Sequence, residues 1–493
     1  MLSLPVNMKK KNNIMNLFLF IIFIYSSHLF IEKYYIINND MPSQHGDDAA
    51  YFNTAFNINK FNVASHQVEE YRVHSHKNTI KPPLYSYFIS TFMNTDKKFK
   101  DVTLECIYKK NINKICHEFV QNSKKINLAI HFFHAILLYL LIFFFTRNNY
   151  LSFVGGFFIL SSTYFLNNAN YFMTESFSSI FVLIHSVSFY LIFTKTKFRF
   201  LNLCITSISL GCLILTKAIF LYWFYVLFIF LLFSFFYKKL LNIMKINSPN
   251  FFYYINFNHI ITFTIVIGLL IFPWQFRNFI EEGSFKISLQ GGNVIAERAE
   301  YLKTDISDIK YGIIYYIPSN KLKTLYQDKL KEKSFMFDES HPNSHYRNSD
   351  DYETSYVLSK LEWSDKNKPD EVFKKSIELI KNDPAKHLYL SLMFFVRGVF
   401  QETLTNDYPS VLKFISSIVH WLSIIILPII FLIFAIKRDK NFLLTLLSIF
   451  TIVCYSFFTD FEPRYGTIVL STFILIFMKI INTMLYNRLN YEK

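Results

Sequence analysis

The chain has 493 residues, enough for about three ordinary soluble domains, but its composition is typical of another class of protein. Hydrophobic residues make up 52% of the sequence and aromatic residues 19%, slightly more than the 18% that carry charge. This composition excludes a disordered chain, a collagen-like repeat and a disulfide-dense secreted scaffold. It predicts an all-α polytopic membrane protein.

Apolar stretches recur along the chain, and each is close to the ~20 residues that a helix needs to cross a ~30 Å hydrocarbon layer. About ten transmembrane helices are predicted, at residues 14–32, 126–145, 151–166, 176–194, 200–216, 218–236, 258–273, 411–436, 441–459 and 466–486. We expect the first to be a retained anchor, because Ser26-Ser27-His28 offers no A-x-A-like cleavage site. We expect a turn at 216–218, since one helix over 200–236 would measure about 55 Å.

The net charge of +15 is concentrated in one alternating set of short connections, such as 195–199 and 437–440. Lys and Arg are enriched on the cytoplasmic side of membrane proteins, so this set and both termini are expected to be cytoplasmic. The charge is therefore read as a topology signal, and nucleic acid is not expected as a partner. The domain boundaries follow: an anchor helix at 1–32, a first outer loop at 33–125, transmembrane helices at 126–273, a second outer loop at 274–410 and C-terminal transmembrane helices at 411–493.

Two features of the outer loops stay open at this stage. The segment 387–400 is apolar enough to insert, but Arg397 and the nearby acidic residues favour an interfacial or re-entrant helix at the membrane surface. Cys106 and Cys116 share the first outer loop, where an oxidising compartment would permit a disulfide. The spacing makes that bridge feasible without deciding it. The other cysteines lie in predicted spans and are expected to be packing residues.

Nearly all the distinctive polar residues fall on the predicted outer side. They occur in seven short motifs: Asp47-Asp48-x-x-Tyr51, Lys81-Pro82-Pro83-Leu84-Tyr85, Thr174-Glu175, Thr216-Lys217, Pro273-Trp274-x-x-Arg277-Asn278, Gln290-Gly291-Gly292-Asn293 and Glu462-x-Arg464-Tyr465. Each motif alone has an ordinary structural explanation, such as a solvated acidic pair, a stiff turn or a charge that complements a helix dipole. Their order and spacing favour one outer site for an anionic, lipid-borne substrate.

In that order, the motifs resemble those of the GT-C membrane glycosyltransferases, in particular the branch with protein O-mannosyltransferases and bacterial aminoarabinose transferases. The resemblance runs from residue 47 to 465. It implies a GT-C-like fold with interfacial helices, a polyprenyl-phosphate sugar donor, inversion at the anomeric carbon and an active site on the non-cytoplasmic side. The expected enzyme is a hexosyl or pentosyl transferase in a bacterial inner or plasma membrane, acting on a hydroxyl of a glycolipid, an envelope glycan or a protein.

The resemblance also assigns expected roles to single residues. Asp47 matches the family's catalytic carboxylate and is the candidate base, and Asp48 is expected to orient the acceptor or Asp47 itself. Glu175 either accepts hydrogen bonds from a sugar hydroxyl or folds its loop by pairing with an arginine. The remaining candidates for substrate or phosphate binding are Tyr51, Lys81, Lys217, Arg277, Glu462, Arg464 and Tyr465.

No metal or other cofactor is expected. Some family members carry an acidic residue or a histidine directly before the Lys-Pro pair, and in aminoarabinose transferases that residue helps to hold a metal. Here the position is Ile80, which cannot bind a metal. His74 and His76 lie nearby, but two histidines bind zinc only when a third ligand converges on them. Solvated loop histidines are the simpler interpretation.

Other functions remain as alternatives. A lipid-sugar transporter or flippase would also be polytopic, but it should place ionisable or Gly/Pro-broken helices near the middle of the bilayer. An oligosaccharide polymerase or ligase is also multi-span, and the Asp47 and Lys81 motifs argue against it.

Overall fold

The computed structural model describes the chain except for residues 1–5, 35–41, 43–45, 74–80, 110–111, 195–196, 244–255, 289–290, 339–340, 346, 348–356, 358–368, 402–407 and 492–493. Within the described ranges the regular structure is helical, and they contain no strand. Short 3-10 helices lie at Lys97–Asp101, Tyr301–Lys303 and Ser334–Met336.

The first half of the chain forms an anchor helix, a group of short helices and then the first long transmembrane helices. In chain order these are α1 (Val6–Tyr34), α2 (Asp47–Phe61), α3 (Glu70–Val73), α4 (Leu84–Met93), α5 (Leu104–Ile107), α6 (Lys114–Thr146), α7 (Asn149–Leu160), α8 (Thr163–Asn170), α9 (Glu175–Thr194), α10 (Arg199–Ile214), α11 (Phe220–Ile243) and α12 (Phe257–Glu282).

The second half begins with the helices of residues 274–410, the predicted second outer loop and here named the second outer segment, and it ends with three apolar helices. They are α13 (Gly291–Glu300), α14 (Ile306–Tyr316), α15 (Asn320–Leu325), α16 (Gln327–Lys333), α17 (Pro369–Asn382), α18 (Pro384–Phe400), α19 (Ser410–Ile436), α20 (Phe442–Phe458) and α21 (Pro463–Tyr491).

The predicted membrane spans correspond to helices of the structure. In the described part of the chain, seven helices are long and apolar enough to cross a membrane, and α7, α10 and α20 are shorter apolar helices. Together they cover all the predicted spans, so the all-α polytopic fold is confirmed and the chain is an integral, multi-pass membrane protein. α10 ends at Ile214 and α11 begins at Phe220, which confirms the predicted turn between them.

Two helices extend further than the apolar pattern indicates. α6 begins at Lys114, well before the predicted start at 126, and Asn113 caps it by accepting a hydrogen bond from the backbone N–H of Ile115. α12 continues through Pro273 to Glu282, and Gly283 caps it with a φ of 68°, which suits glycine. The motif at 273–278 therefore lies on the last turns of a helix rather than in the loop after it.

The core is arranged around two central helices. In α9, 72% of the most apolar window is buried, and in α21 the share is 56%, whereas the other candidate spans bury 39% or less. α9 packs against α6, α10, α20 and α21, and α21 packs also against α7 and α19. A second apolar cluster joins α2, α4, α5 and the N-terminal half of α6. The N-terminal ends of α2, α9 and α21 supply the residues of the candidate site.

Residues 33–125, the predicted first outer loop and here named the first outer segment, carry a disulfide between Cys106 and Cys116, whose Cα atoms are 6.4 Å apart. The bridge left open by the sequence joins α5 to the first turn of α6. The second outer segment packs onto the bundle through α18, which contacts α20 and α21. Arg397, expected to mark a membrane-surface position, is instead completely buried inside the protein. The interfacial placement of 387–400 stays a prediction.

Candidate active site

The site forms where the first turns of three helices meet two loops. Asp47 is the first residue of α2, a position where the helix dipole stabilises a carboxylate. Arg464 follows Pro463, the first residue of α21 and a residue type favoured at helix starts. Lys81 lies just before α4, and the backbone N–H of Leu84 donates to the carbonyl of Leu215, 2.9 Å away. This hydrogen bond ties the Lys81 loop to the turn between α10 and α11.

The Asp47 carboxylate is paired with two cations. Its Oδ1 forms an ion pair with Lys81 Nζ, and its Oδ2 lies 3.2 Å from Nη2 of Arg464. The side chains of Lys81 and Arg464 are only 9% and 19% exposed, against 29% for Asp47. The carboxylate is therefore the most accessible of these three side chains.

These charges set the protonation of the carboxylate. Burial alone would raise the pKa of Asp47, but the charges of Lys81, Arg464 and Lys217 outweigh it and hold the pKa below its ordinary value of 3.8. Burial also lowers the pKa of Lys81, and Asp47 opposes that shift without cancelling it. At neutral pH the group therefore contains an ionised acid.

Arg464 is held in place by its own neighbours. Its Nε lies 2.5 Å from Oε2 of Glu462, and its Nη2 donates to Oε1 of Glu462 at 3.2 Å. The same nitrogen donates to the Tyr465 hydroxyl at 3.1 Å, and the Tyr465 ring stacks on Tyr455 with centroids 4.2 Å apart. Such two-pronged pairing fixes the plane of a guanidinium as well as its position. Burial raises the pKa of Glu462, although Arg464 opposes the shift.

A second ion pair lies beside the first. Lys217 Nζ lies 3.2 Å from Oε1 of Glu175, whose side chain is 1% exposed at the start of α9. The ammonium also lies 5.1 Å from the centre of the Tyr465 ring. Glu175 is therefore paired with a lysine rather than with the arginine of one expected role, and its other expected role, contact with a sugar hydroxyl, stays a prediction.

Tyr51 lies one turn after Asp47 on α2 and is buried, with its ring edge-on to Tyr85 at 5.3 Å. Its pKa is raised by burial first and then by the nearby charges of Asp47 and Glu175. The structure thus brings eight of the predicted residues into one cluster: Asp47, Tyr51, Lys81, Glu175, Lys217, Glu462, Arg464 and Tyr465.

Asp48 and Arg277 are directed to other partners. Asp48 is buried, and its charge helps burial to raise the pKa of Tyr108 in the first outer segment. Arg277 donates to the carbonyl of Ala64 and to the side chain of Asn278, each at 2.9 Å. It thereby holds the chain that follows α2. A direct substrate contact for either residue stays a prediction.

The part of the chain that the structure describes contains no group of three His, Cys, Asp or Glu side chains that could hold a metal ion. Ile80, His74 and His76, on which the sequence argument about a metal rests, lie outside the described residues.

One set of buried charged residues beside the site is not predicted from the sequence. Arg298 of α13 and Arg397 of α18 are completely buried and contact the connection at 459–462 that leads into α21. Glu297 adjoins them, and its pKa is raised by burial first and then by Asp460. These residues lie in a long segment rich in charged residues, and the sequence does not distinguish the charges that become buried from those that stay exposed. Arg397 is the one residue of this set named among the sequence expectations, and its expected position is at the membrane surface.

Part of the chain matches the model of a known family. Residues 64–288 match the model of the family described as dolichyl-phosphate-mannose-protein mannosyltransferase. No curated protein matches the chain. Among solved structures, the chain is similar to the archaeal oligosaccharyltransferase AglB from Archaeoglobus fulgidus, solved in complex with an inhibitory peptide and a dolichol-phosphate. The identity is 12% and the TM-score 0.45, over 97% of this chain and 52% of AglB, so the chain spans about half the length of AglB. The family match confirms, for residues 64–288, the resemblance to GT-C membrane glycosyltransferases that the motifs indicate.

Proposed function

We propose that the chain is an inverting glycosyltransferase that moves a monosaccharide from a polyprenyl-phosphate donor to a hydroxyl acceptor. The observation that carries the proposal is the Asp47 carboxylate, paired with Lys81 and Arg464 at the meeting point of three helix ends. The family that matches residues 64–288 is described by its dolichyl-phosphate-mannose donor, which supports the same donor class here.

The transfer needs a base and a cationic site for the leaving group. In a single displacement, the acceptor oxygen attacks the anomeric carbon while the bond from that carbon to the phosphate oxygen breaks. Asp47 takes the acceptor proton, and the polyprenyl phosphate leaves as a monoester with one more negative charge. Lys81 and Arg464 stabilise that charge, and one displacement inverts the anomeric configuration.

The pairing of Asp47 with both cations suggests how the base is activated. A carboxylate with a depressed pKa is a weak base. When a donor phosphate takes part of the charge of Lys81 and Arg464, less of that charge stabilises the ionised form of Asp47. Its pKa then rises towards the ordinary value, and base assistance, typically worth ~10²–10⁴-fold, becomes available with the donor in place.

Several finer points belong to the same proposal. The site faces the non-cytoplasmic side of a bacterial inner or plasma membrane, and the polyprenyl tail lies in an apolar groove between the spans. The acceptor is a glycolipid, an envelope glycan or a protein, and the second outer segment is large enough to help select it. The chemistry runs without a metal, because the charges that a metal would neutralise are already matched by lysine and arginine.

The proposal is tested by phosphate-dependent lipid binding to the purified full-length chain in detergent. Farnesyl phosphate is the probe and farnesol its uncharged counterpart. Lys81→Met and Arg464→Met should each weaken farnesyl phosphate binding by about 10-fold or more, because a charge-assisted hydrogen bond is worth ~1.5–3 kcal/mol.

The matched control is Lys98→Met, which breaks an ion pair with Glu118 in the first outer segment. It should leave the affinity unchanged. Equal binding of farnesol and farnesyl phosphate, or an equal loss in Lys98→Met, would overturn the phosphate role.

A further inference from the structure

Arg298 links the second outer segment to the connection that precedes α21. Its guanidinium donates from Nη1 to the carbonyl of Thr459 at 3.1 Å and from Nη2 to Oγ of Ser391 at 2.5 Å. It lies over the Phe394 ring at 4.3 Å, and no part of the residue is exposed. One side chain of α13 therefore joins α18 to the residue after α20.

Arg397 holds the next residue of the same connection. Its Nη1 lies 3.9 Å from Oδ2 of Asp460, and its Nε donates to Oε1 of Gln401 at 3.0 Å. The neighbouring Gly398 allows the Phe461 ring to pack directly on α18, because a Cβ atom at that position would lie 2.5 Å from the ring. Three consecutive residues, 459–461, are thus fixed against α13 and α18.

The connection continues into the residues of the candidate site. Glu462 follows Phe461 and contacts the Arg464 guanidinium through both of its carboxylate oxygens. Arg464 in turn faces Asp47. A shift of the backbone at 459–461 would move Glu462 and change the direction of the Arg464 guanidinium.

We infer that Arg298 and Arg397 are positioning residues of the transfer site, which act by fixing the 459–462 connection so that Arg464 faces the donor phosphate. The inference rests on the proposed function. The inference does not require either arginine to contact the substrate. Replacing buried ion pairs by apolar groups is often neutral for stability, so a role in orientation gives a specific reason for two buried arginines here.

The test is a double-mutant cycle on farnesyl phosphate affinity, measured with the full chain in detergent. Arg397→Met should weaken binding by about 10-fold when Arg464 is present, since small misplacements of a positioned group can cost up to ~10²-fold. In the Arg464→Met background the same substitution should cause no further loss, because coupled residues are not additive. Arg298→Met should behave in the same way.

Two further variants separate positioning from general stability. Ser376→Ala removes a buried hydrogen bond from the Ser376 hydroxyl to the carbonyl of Val372 in α17 of the same segment, 2.7 Å long. It should lower the melting temperature without changing the affinity. Asp460→Asn replaces Arg397→Met if the latter does not fold, and it should show the same dependence on Arg464.

Each outcome decides between the inference and the proposed function. If the wild-type chain binds farnesyl phosphate and the losses from Arg397 and Arg464 are additive, or Arg397→Met has no effect, the inference is wrong and the proposed function stands. A wild-type chain that does not distinguish farnesyl phosphate from farnesol overturns both.

Discussion

Nη2 of Arg464 lies 3.2 Å from Oδ2 of Asp47, although one residue is near the start of the chain and the other near its end. The contact joins the first turn of α21 to the first turn of α2. In this contact, an acid and a cation needed for the proposed transfer neutralise each other. Substitution of Asp47 should therefore change how Arg464 binds phosphate, and substitution of Arg464 should change the pKa of Asp47.

Asp47→Asn should abolish sugar transfer while binding farnesyl phosphate at least as tightly as the wild type. The amide cannot accept the acceptor proton, and it no longer competes with phosphate for Lys81 and Arg464. Turnover with a polyprenyl-phosphate sugar and calorimetric titration with farnesyl phosphate measure the two effects separately. Full turnover in the variant would remove Asp47 from the mechanism, and a large loss of affinity would assign it to binding.

The pH dependence of kcat/KM and that of kcat should differ on the acid side. The lowered pKa keeps Asp47 ionised in the free enzyme, and its contribution to stability is lost only as pH falls through the folded value, below 3.8. Asp47 should therefore give kcat/KM no acid limb between about pH 5 and 8, whereas the limb in kcat lies higher because phosphate shares its cations.

Glu462→Gln is the control for this profile, because the pKa of Glu462 is raised. A limb near neutral pH in kcat/KM that survives in Glu462→Gln would contradict the assignment.

The pair Glu175–Lys217 should behave as a structural unit. Lys217→Met leaves a buried carboxylate without its cation, and breaking a buried pair typically costs ~3–5 kcal/mol. The double variant Glu175→Gln/Lys217→Met should recover most of the lost stability, as measured by thermal melting in detergent. If the double variant recovers stability but not turnover, at least one of the two residues also takes part in the transfer. If it recovers neither, the pair is not the stabilising contact that the structure indicates.

The disulfide offers a test of sidedness. Cys106 and Cys116 should react with a membrane-impermeant maleimide in intact cells only after reduction, because the first outer segment is expected to face an oxidising compartment. Cys204 and Cys212, within α10, should stay unlabelled and serve as an internal control. Labelling that requires permeabilised cells would place the site on the cytoplasmic face.

Chelators should not inactivate the enzyme. Asp47 already lies between two cations, and a divalent metal would have to displace at least one of them. Turnover after dialysis against EDTA should equal that of the untreated protein. Loss of activity that added zinc or magnesium restores would contradict this expectation and direct attention to the histidines of the first outer segment.

The sequence predicts the helical frame well, because a membrane imposes one length and one polarity on every span. It is less informative about where helices continue beyond the apolar stretch. α6 starts at Lys114 and α12 runs on to Glu282. Hydropathy does not reveal these ends, because polar helical turns outside the membrane look the same as a polar loop.

The candidate site could be anticipated where a motif lies next to a span. Glu175, Lys217 and Arg464 all do, and the structure gathers them around Asp47 and Lys81. Asp47 and Asp48 are adjacent in α2, so their side chains point about 100° apart and only one of them can face the cluster. Which of the two does so depends on how α2 packs, and the sequence does not show that. Arg298 and Arg397 could not be recognised either, because their burial depends on how α13 and α18 fold back onto 459–461.

The central claim is that Asp47 activates an acceptor towards a polyprenyl-phosphate sugar. Mass spectrometry of lipid-linked and surface glycans, in cells that carry either the wild-type chain or Asp47→Asn, tests it most directly. The account predicts that the variant accumulates a polyprenyl-phosphate monosaccharide and that the same sugar is missing from one surface glycan or protein. Identical glycan and lipid profiles in the two strains would contradict it.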